Sequence, residues 1–295
     1  MAIEIGALLK RAVEVEATYK VCDGVYILGS LEKGLTLYNQ QVRAHNLIWA
    51  LWELQREKQK GIGRVAVVGG GAAGLTVAAG LLSRFSEGVE VTLLERFWDI
   101  CALQQGADTR WLHPRIYSWP AVGSRAPGAS LPLLNWSEGR ASDVARQLSE
   151  SFGRYCDQYG NGSAALSIYI GVTDLKLDVK SRSISWKGTR ALRSDSFFHP
   201  DGEAKSNSEH FDVVVLAAGF GIERTDEEFT TESYWRNEQL AQPRLDAEKK
   251  TWLISGYGDG ALVDLCRLTI ERFRQDTILY ELFGTVTCPD SSDHA

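Results

Sequence analysis

A short glycine-rich segment between two apolar runs constrains this chain more than any other feature. Residues 65–68 read Val-Ala-Val-Val and lead directly into Gly69-Gly70-Gly71-Ala72-Ala73-Gly74, and Glu95 follows 21 residues after Gly74. A buried strand, a tight glycine turn, a helix and an acid at this distance form the βαβ pattern that binds a dinucleotide. The sequence therefore predicts a dinucleotide-binding unit here rather than a chance glycine turn.

Each position of the glycine turn has a separate predicted role. Gly69 makes the tight turn, Gly71 lets the backbone approach a pyrophosphate, and Gly74 lets the following helix pack close to the strand. The helix begins at Ala72 and Ala73, so its free backbone amides and the positive end of its dipole point toward the phosphates. We therefore expect all five residues to contact or position the nucleotide.

The acid that follows the next apolar run completes the pattern. Residues 91–94 read Val-Thr-Leu-Leu and predict a second parallel strand, with Glu95 at its carboxyl end. A carboxylate at this position accepts hydrogen bonds from the hydroxyl groups of an adenosine ribose. We also expect cofactor contacts from Arg96, which is next to it, and from Arg110 in the loop that follows.

The overall composition excludes several classes of partner. With 295 residues, of which 44% are hydrophobic and 24% charged, the chain has the make-up of a soluble globular protein with a substantial core. Its net charge of -6, without a basic stripe, predicts no nucleic-acid partner. No apolar run reaches the length of a membrane span, and the first residues lack the plan of a signal peptide. We therefore expect no membrane association and a cytoplasmic location.

The cysteines exclude two further kinds of site. The five cysteines are scattered along the chain, and none forms a CxxC motif or has the spacing of metal ligands. We therefore expect reduced thiols, no metal site and no redox disulfide beside a cofactor.

The residues ahead of the glycine turn predict an extension with one short strand and one long helix. Residues 24–29 read as the strand, and residues 35–57 place a broad apolar face at helical spacing. Four polar residues lie on or beside this helix, and they either reach a cofactor or substrate or face solvent and other elements: Gln40, Gln41, Arg43 and His45.

A loop rich in aromatic and ionisable side chains follows the second strand. Residues 96–136 contain too much glycine and proline for a continuous helix or strand, so the groups at 110–120 are expected at the carboxyl edge of the sheet, where ligands bind. Arg115 is predicted to hold a substrate carboxylate, and His113 or Tyr117 to move a proton. The structural alternative is a turn stabilised by His113 and an ion pair formed by Arg115.

The second half of the chain predicts a helix, a group of short strands and a return to the parallel sheet. Residues 141–159 read as a helix, and residues 212–221 as an apolar strand buried on both faces. The remaining predicted elements are short strands at 166–172, 175–179, 183–186 and 251–254, and a last helix at 262–274. Only the two chain ends are expected to be disordered.

Three of these features together resemble the glutathione-reductase-like Rossmann class of flavoproteins, which includes the amine oxidase and flavin monooxygenase families. They are the glycine turn with Glu95, the apolar strand that ends Ala217-Ala218-Gly219, and the stretch 254–259 before the last helix. The resemblance covers about residues 62–275 and implies FAD as the cofactor, with further contacts from Gly219, Gly258 and Asp259.

The resemblance also implies a fold and a division into domains. The expected fold is α/β: a Rossmann-like FAD-binding fold with a parallel sheet, a β-meander and a small inserted substrate region. We assign residues 1–61 to an N-terminal extension, residues 62–125 and 205–285 to the FAD-binding domain, and residues 126–204 to a helix, the meander and the substrate region. Amine oxidases usually follow their acid with a Gly-Gly-Arg turn, which this chain replaces with Gln104-Gln105-Gly106.

The function implied by the resemblance is the oxidation of a small molecule, such as an amine or amino acid, by hydride transfer to the flavin. The chain returns to the sheet with a meander, an Ala-Ala-Gly strand and a Gly-Asp turn, which favours FAD over NAD and an oxidase or monooxygenase over an NAD-linked dehydrogenase. Only one GxGxxG motif is present, so there is no second Rossmann domain for NADPH, and oxygen is the favoured electron acceptor. The alternative is a non-catalytic FAD- or NAD-binding sensor, or an accessory subunit of a larger complex. A homo-oligomer, or a partner subunit that completes the small substrate region, also stays open.

Overall fold

The computed structural model describes residues 2–29, 35–58, 61–85, 88–118, 121–159, 165–194, 197–219, 234–235, 251–255, 259–270 and 273. The helices are α1 (Ala2–Tyr19), α2 (Leu37–Lys58), α3 (Ala72–Arg84), α4 (Ala141–Tyr159) and α5 (Asp259–Thr269), with a 3₁₀ helix at Ile116–Ser118. The strands are β1 (Lys20–Cys22), β2 (Val25–Ile27), β3 (Arg64–Val68), β4 (Glu90–Leu94), β5 (Trp111–Leu112), β6 (Gly139–Arg140), β7 (Leu166–Asp178), β8 (Ser183–Ser194), β9 (Phe197–Pro200), β10 (Lys205–His210) and β11 (Val213–Leu216).

One mixed sheet of nine strands organises the described residues. Its order is β1-β2-β11-β3-β4-β7-β8-β10, and β9 pairs with β8. The five strands β2, β11, β3, β4 and β7 are parallel, whereas β7, β8 and β10 form an antiparallel meander. β5 and β6 form a separate two-stranded sheet. This mixed α/β architecture with a mostly parallel sheet confirms the predicted fold class.

The register of the parallel strands brings four strand ends into one row. Ile27 pairs with Leu216, Leu216 with Val68, and Val68 with Leu94. The next residue of each strand therefore lies at the same edge of the sheet: Leu28, Ala217, Gly69 and Glu95. Ligands of doubly wound folds bind at this carboxyl edge, so the register positions the candidate site.

Alternating side chains of the parallel strands fill two separate clusters. Val65, Val67, Val213 and Val215 pack in the larger cluster, which contains the buried faces of α2, α3 and α4. Their neighbours along the strands point to the other face, because successive strand residues alternate between faces. They pack in a second cluster with residues of the meander: Val25, Ala66, Leu94 and Val214 with Ile184, Trp186 and Phe211.

Helix α3 is buried almost all round because it lies between the sheet and a second helix. Every residue from 72 to 82 is buried. Ile48 of α2 packs against Gly80, where an added Cβ would lie 3.1 Å from Ile48 Cγ1. A helix that is apolar on all sides suits this interior position. The helix after the glycine turn is therefore fixed by packing as well as by its own hydrogen bonds.

Two strand predictions are wrong. The predicted strands 166–172 and 175–179 are one strand, β7, whose register shifts at two places. Gly171 and Asp174 have φ of 62° and 51°, so the break that the sequence suggested is an irregularity within a strand and no turn. The predicted strand at 251–254 is not formed, and Trp252 and Leu253 are exposed there.

The N-terminal segment and the last helix also differ from the predictions, and the predicted disorder at 289–295 lies outside the described residues. The beginning of the chain was expected to be disordered, but α1 forms from Ala2 and packs on α2. The predicted extension 1–61 adds β1 and β2 to the main sheet. The last predicted helix, 262–274, begins three residues earlier as α5 and ends at Thr269.

Two kinds of feature are absent from the described residues. None of the helices they form has the length and apolar character that crossing a bilayer requires. Within the same part of the chain, no three His, Cys, Asp or Glu side chains come together in a group that would hold a metal ion.

Candidate nucleotide-binding site

The turn between β3 and α3 is too tight for any side chain at two of its glycines. Gly69 has φ of 114°, and a Cβ there would lie 2.7 Å from the carbonyl carbon of Ala217 in the neighbouring strand. A Cβ at Gly74 would overlap the backbone carbonyl of Gly69. The predicted roles of these two glycines, the turn and the close approach of helix to strand, match this geometry.

The first turn of α3 presents backbone amides that no side chain caps. Gly71 is the N-cap residue, with φ of -81° and ψ of -177°, and the first helical bond runs from the Leu75 amide to the Gly71 carbonyl at 3.0 Å. The first turn has no acidic residue, and a Cβ at Gly71 would meet no atom within 4 Å. Free amides, a positive helix end and open space beside Gly71 suit a phosphate group.

Glu95 holds the glycine turn from the neighbouring strand. Its carboxylate accepts hydrogen bonds from the backbone amide of Gly70 and, at 2.7 Å, from that of Phe97. The residue is buried, and burial raises the pKa of the Glu95 carboxyl while the backbone donors oppose that rise. The predicted ribose acid therefore lies directly beside the predicted phosphate turn.

The loop after Glu95 is fixed by a second buried acid. Asp99 accepts hydrogen bonds from the Ile100 amide at 2.7 Å and from Gln105 Nε2 at 2.9 Å. Burial raises the pKa of the Asp99 carboxyl. The Cys101 amide donates to the Gly70 carbonyl at 2.9 Å, which joins this loop to the glycine turn. Gln105 therefore stabilises the loop.

The other predicted cofactor residues have different surroundings. Arg96 is exposed, and its guanidinium lies 4.7 Å from the centre of the Phe97 ring. Gly219 follows β11 at the same edge as the glycine turn, with φ of 66°. Gly258 lies outside the described residues, as does the side chain of Asp259, the first residue of α5. Their predicted cofactor roles stay predictions.

Arg110 connects its loop to the C-terminal helix. The side chain is 2% exposed; its Nε donates to the Tyr234 carbonyl at 2.6 Å, and one terminal nitrogen lies 2.8 Å from Asp264 Oδ1 of α5. The guanidinium also lies 4.0 Å from the centre of the Tyr234 ring. These contacts are with protein groups, so they give Arg110 a structural role beside the cofactor contact that the sequence predicts.

His113 is engaged within its own loop. Its Nδ1 accepts a hydrogen bond from the Arg115 amide at 3.0 Å, and its Nε2 lies 3.6 Å from a carboxylate oxygen of Glu138. Trp111 Nε1 donates to the same carboxylate at 3.3 Å. Burial lowers the pKa of His113, so the ring is neutral near pH 7 with its proton on Nε2. The side chain of Tyr117 lies outside the described residues.

A buried polar network beside the glycine turn was not predicted as such. Gln41 is fully buried; its Nε2 donates to Thr76 Oγ1 at 3.2 Å and to the Leu134 carbonyl at 3.0 Å, and its Oε1 accepts from Trp136 Nε1 at 2.7 Å. Thr76 in turn donates to the Ala72 carbonyl at 2.8 Å. The network joins α2 to the first turn of α3. In the sequence, the signal for this network is Gln41, a polar residue on the apolar face of the predicted helix.

A cavity at the opposite edge of the sheet does not belong to this site. It measures about 450 Å³, and its lining includes Gln55, Gly63, Arg84 and Gly88. Gly63 and Gly88 precede β3 and β4, so this cavity opens at the amino ends of the strands. The glycine turn and Glu95 lie at the opposite, carboxyl ends of these strands.

Comparison with protein families decides which dinucleotide the site takes. Residues 64–168 match the family described as DAO, FAD dependent oxidoreductase. The match begins in β3, includes the whole glycine turn and Glu95, and ends in β7. Residues 64–168 are therefore similar to the FAD-binding unit of FAD-dependent oxidoreductases. The prediction of FAD as the cofactor is thereby confirmed, and the uncapped turn of α3 with the adjoining Glu95 carboxylate fits that cofactor.

Other comparisons add little to this match. No curated protein matches the chain. Among the solved structures that match is DfoA bound to FAD, described as the desferrioxamine biosynthetic pathway cadaverine monooxygenase from the fire blight disease pathogen Erwinia amylovora. The two share 14% identity with a TM-score of 0.29, over 60% of this chain and 39% of DfoA. This chain therefore spans well under half the length of that protein.

Proposed function

We propose that the protein binds FAD and oxidises a small molecule, an amine or an amino acid, by hydride transfer to the flavin. The observation that carries the proposal is the contact between the Glu95 carboxylate and the Gly70 amide, within the segment that matches the FAD-dependent oxidoreductase family. It joins an acid suited to a ribose and a helix end suited to a pyrophosphate in one rigid site.

In the proposed mechanism, one set of residues binds the cofactor and another moves the proton. Glu95 orients the adenosine ribose, and the amides of the first turn of α3 bind the pyrophosphate. When bound, the flavin supplies an acceptor for two electrons and a hydrogen nucleus, transferred together as a hydride. The substrate must also release a proton, and His113 or Tyr117 is the proposed group that moves it. His113 is neutral near pH 7 and would accept the proton at Nδ1, in place of the hydrogen bond from the Arg115 amide. Oxygen is the proposed final electron acceptor.

Anaerobic reduction tests the proposal. The full-length protein is loaded with FAD and mixed, without oxygen, with amines, amino acids and NADPH in turn, while the flavin absorbance is followed. We expect at least one amine or amino acid to bleach the flavin, and oxygen to restore its colour. Bound FAD that no donor reduces would contradict the enzymatic role and favour the non-catalytic sensor or accessory subunit. Failure to bind FAD would contradict both the enzymatic role and an FAD-binding sensor.

A further inference from the structure

The buried network around Gln41 ends at a peptide group of the FAD-binding turn. Its last hydrogen bond runs from Thr76 Oγ1 to the Ala72 carbonyl at 2.8 Å. That carbonyl belongs to the same peptide group as the Ala73 amide. Ala73 is the second residue of α3, so its amide is one of those that have no acceptor within the helix and point toward the pyrophosphate. The network therefore contacts the phosphate-binding backbone on the side away from the phosphates.

The hydrogen bonds of this network run in series toward that peptide group. Trp136 Nε1 donates to Gln41 Oε1 at 2.7 Å, and Gln41 Nε2 donates to Thr76 Oγ1 at 3.2 Å. The Thr76 hydroxyl then donates to the Ala72 carbonyl. Hydrogen bonds in such a series polarise one another, because each side chain accepts at one end and donates at the other. We call the series Trp136, Gln41, Thr76 and Ala72 the relay.

The relay makes the Ala73 amide a stronger donor. The Ala72 carbonyl accepts the helical hydrogen bond from the Thr76 amide, and the Thr76 hydroxyl adds a second donor to it. Two donors on this oxygen draw electron density from the nitrogen of the same peptide group, so the Ala73 N–H carries more positive charge. Gln41 and Thr76 are fully buried, and the low dielectric of the interior strengthens the effect. A charged phosphate oxygen on the Ala73 amide gains most from it.

The position of the relay along α3 indicates binding rather than packing. Farther along the same two helices, Ile48 of α2 packs on Gly80 of α3 without a polar group. Gln41 and Thr76 meet near the start of α3, beside the glycine turn. An apolar pair of similar shape fills a buried contact at little or no cost, so packing alone does not account for polar side chains at this end.

We propose that the relay positions and polarises the Ala73 amide for the pyrophosphate of FAD. Gln41 and Thr76 are then positioning residues, which act through the backbone of α3 and do not touch the cofactor. The inference rests on the FAD site of the proposed function and extends it by residues outside the glycine turn. For Gln41, the sequence left a cofactor contact and a contact with another element open.

Titration of the full-length apoprotein with FAD and, separately, with ADP tests the proposal. Thr76→Val keeps the shape of the side chain and removes its hydroxyl, whereas Thr76→Ser keeps the hydroxyl. We expect Thr76→Val to weaken the binding of both ligands by the same factor, about 3- to 10-fold, because both contain the pyrophosphate and one hydrogen bond is lost. Thr76→Ser should bind both ligands as the wild type does.

Ser83→Ala is the matched control. Ser83 Oγ donates to the Ala79 carbonyl at 2.7 Å, the same kind of bond to the carbonyl four residues earlier, but at the other end of α3. Its removal should leave both affinities unchanged. A loss of affinity in Ser83→Ala equal to that in Thr76→Val would overturn the proposal, since the effect would then not depend on the phosphate-binding turn.

Urea midpoints of the same apoproteins separate the relay from a purely structural role. A hydroxyl that only joins α2 to α3 stabilises the protein without changing the affinity of the folded state. A lower midpoint with wild-type affinity in Thr76→Val would therefore overturn the proposal, as would a loss of FAD binding without a loss of ADP binding. Wild-type protein that binds neither ligand would contradict the proposed function and this inference with it. If Thr76→Val does not fold, Thr76→Ala takes its place under the same criteria, because alanine lacks the hydroxyl and favours the helix.

Discussion

The carboxylate of Glu95 accepts a hydrogen bond from the backbone amide of Gly70, so the acid at the end of β4 holds the glycine turn at the end of β3. The two residues that the dinucleotide pattern places 25 positions apart are thus in direct contact. This contact links the position of the ribose acid to the shape of the phosphate turn. Loss of the carboxylate should therefore affect both folding and binding.

We expect Glu95→Ala to lower the free energy of unfolding by about 1.5–3 kcal/mol, the range for hydrogen bonds to a charged group, because the Gly70 and Phe97 amides lose their acceptor. The raised pKa of Glu95 shows that burial offsets part of this gain. Urea unfolding of the apoprotein measures the change. Glu90→Ala, at the exposed start of the same strand, is the control and should change stability by less than about 1 kcal/mol. Equal effects of the two substitutions would contradict the assignment.

Two glycines of the same turn should respond to alanine in opposite ways. Gly74→Ala places a methyl group on the Gly69 carbonyl, and we expect the protein to unfold or lose several degrees in its thermal midpoint. Gly71→Ala meets open space at an ordinary φ, so its thermal midpoint should equal that of the wild type within error. Calorimetry of the two apoproteins checks both. A normal midpoint for Gly74→Ala would contradict the packing described for α3.

The buried network around Gln41 predicts a large loss of stability on substitution by leucine. Gln41→Leu leaves Trp136 Nε1 and the Leu134 carbonyl without their partners, at about 1–3 kcal/mol for each unpaired buried group. Gln147→Leu is the matched control, because Gln147 forms two hydrogen bonds with Ser137 at an exposed position. Urea titrations should show a small change for the control and a large one for Gln41→Leu. Comparable changes in the two variants would mean that water molecules replace the hydrogen bonds that Gln41 forms.

The lowered pKa values of two histidines predict that the protein becomes less stable on acidification. Burial lowers the pKa of both His45 and His113 from the ordinary value of 6.5. The unfolded chain therefore binds more protons than the native protein below that pH, and stability falls as pH decreases through this range. Above about pH 4, the raised pKa values of Glu95 and Asp99 have the opposite effect on stability. The contribution of a histidine is therefore measured by comparing the wild type with a variant that lacks this histidine.

Urea midpoints at about pH 7.5 and about pH 5.5 measure that effect. We expect a smaller drop between the two values in His45→Gln than in the wild type. His210→Gln, at an exposed position of β10, should leave the drop unchanged. An unaltered drop in His45→Gln would show that this side chain does not carry the pH dependence.

The local sequence pattern was sufficient to predict the elements whose structure depends mainly on their own residues. The turn from Gly69 to Gly74, Glu95 at the end of β4 and the helix at residues 141–159 all lie where the sequence placed them. Each has a strong local signal: glycines that a close backbone requires, and an apolar face at helical spacing. The break inside β7 was misread because an irregular strand and a turn use the same residues, such as Gly171 and Asp174.

The arrangement of the sheet needed information that no local pattern contains. Residues 251–254 are as apolar as a buried strand, whereas β2 is only three residues long, yet β2 is the one that lies beside β11. That choice depends on pairing between distant parts of the chain.

Titration of FAD into the full-length apoproteins of wild type and Gly71→Ala tests the central claim most directly. We predict that the wild type binds one FAD per chain, and that Gly71→Ala, with an unchanged thermal midpoint, binds it at least about 10-fold more weakly because its methyl group occupies the space open to the pyrophosphate. Equal affinity of the two proteins, or no binding by the wild type, would contradict the claim that FAD lies on this turn.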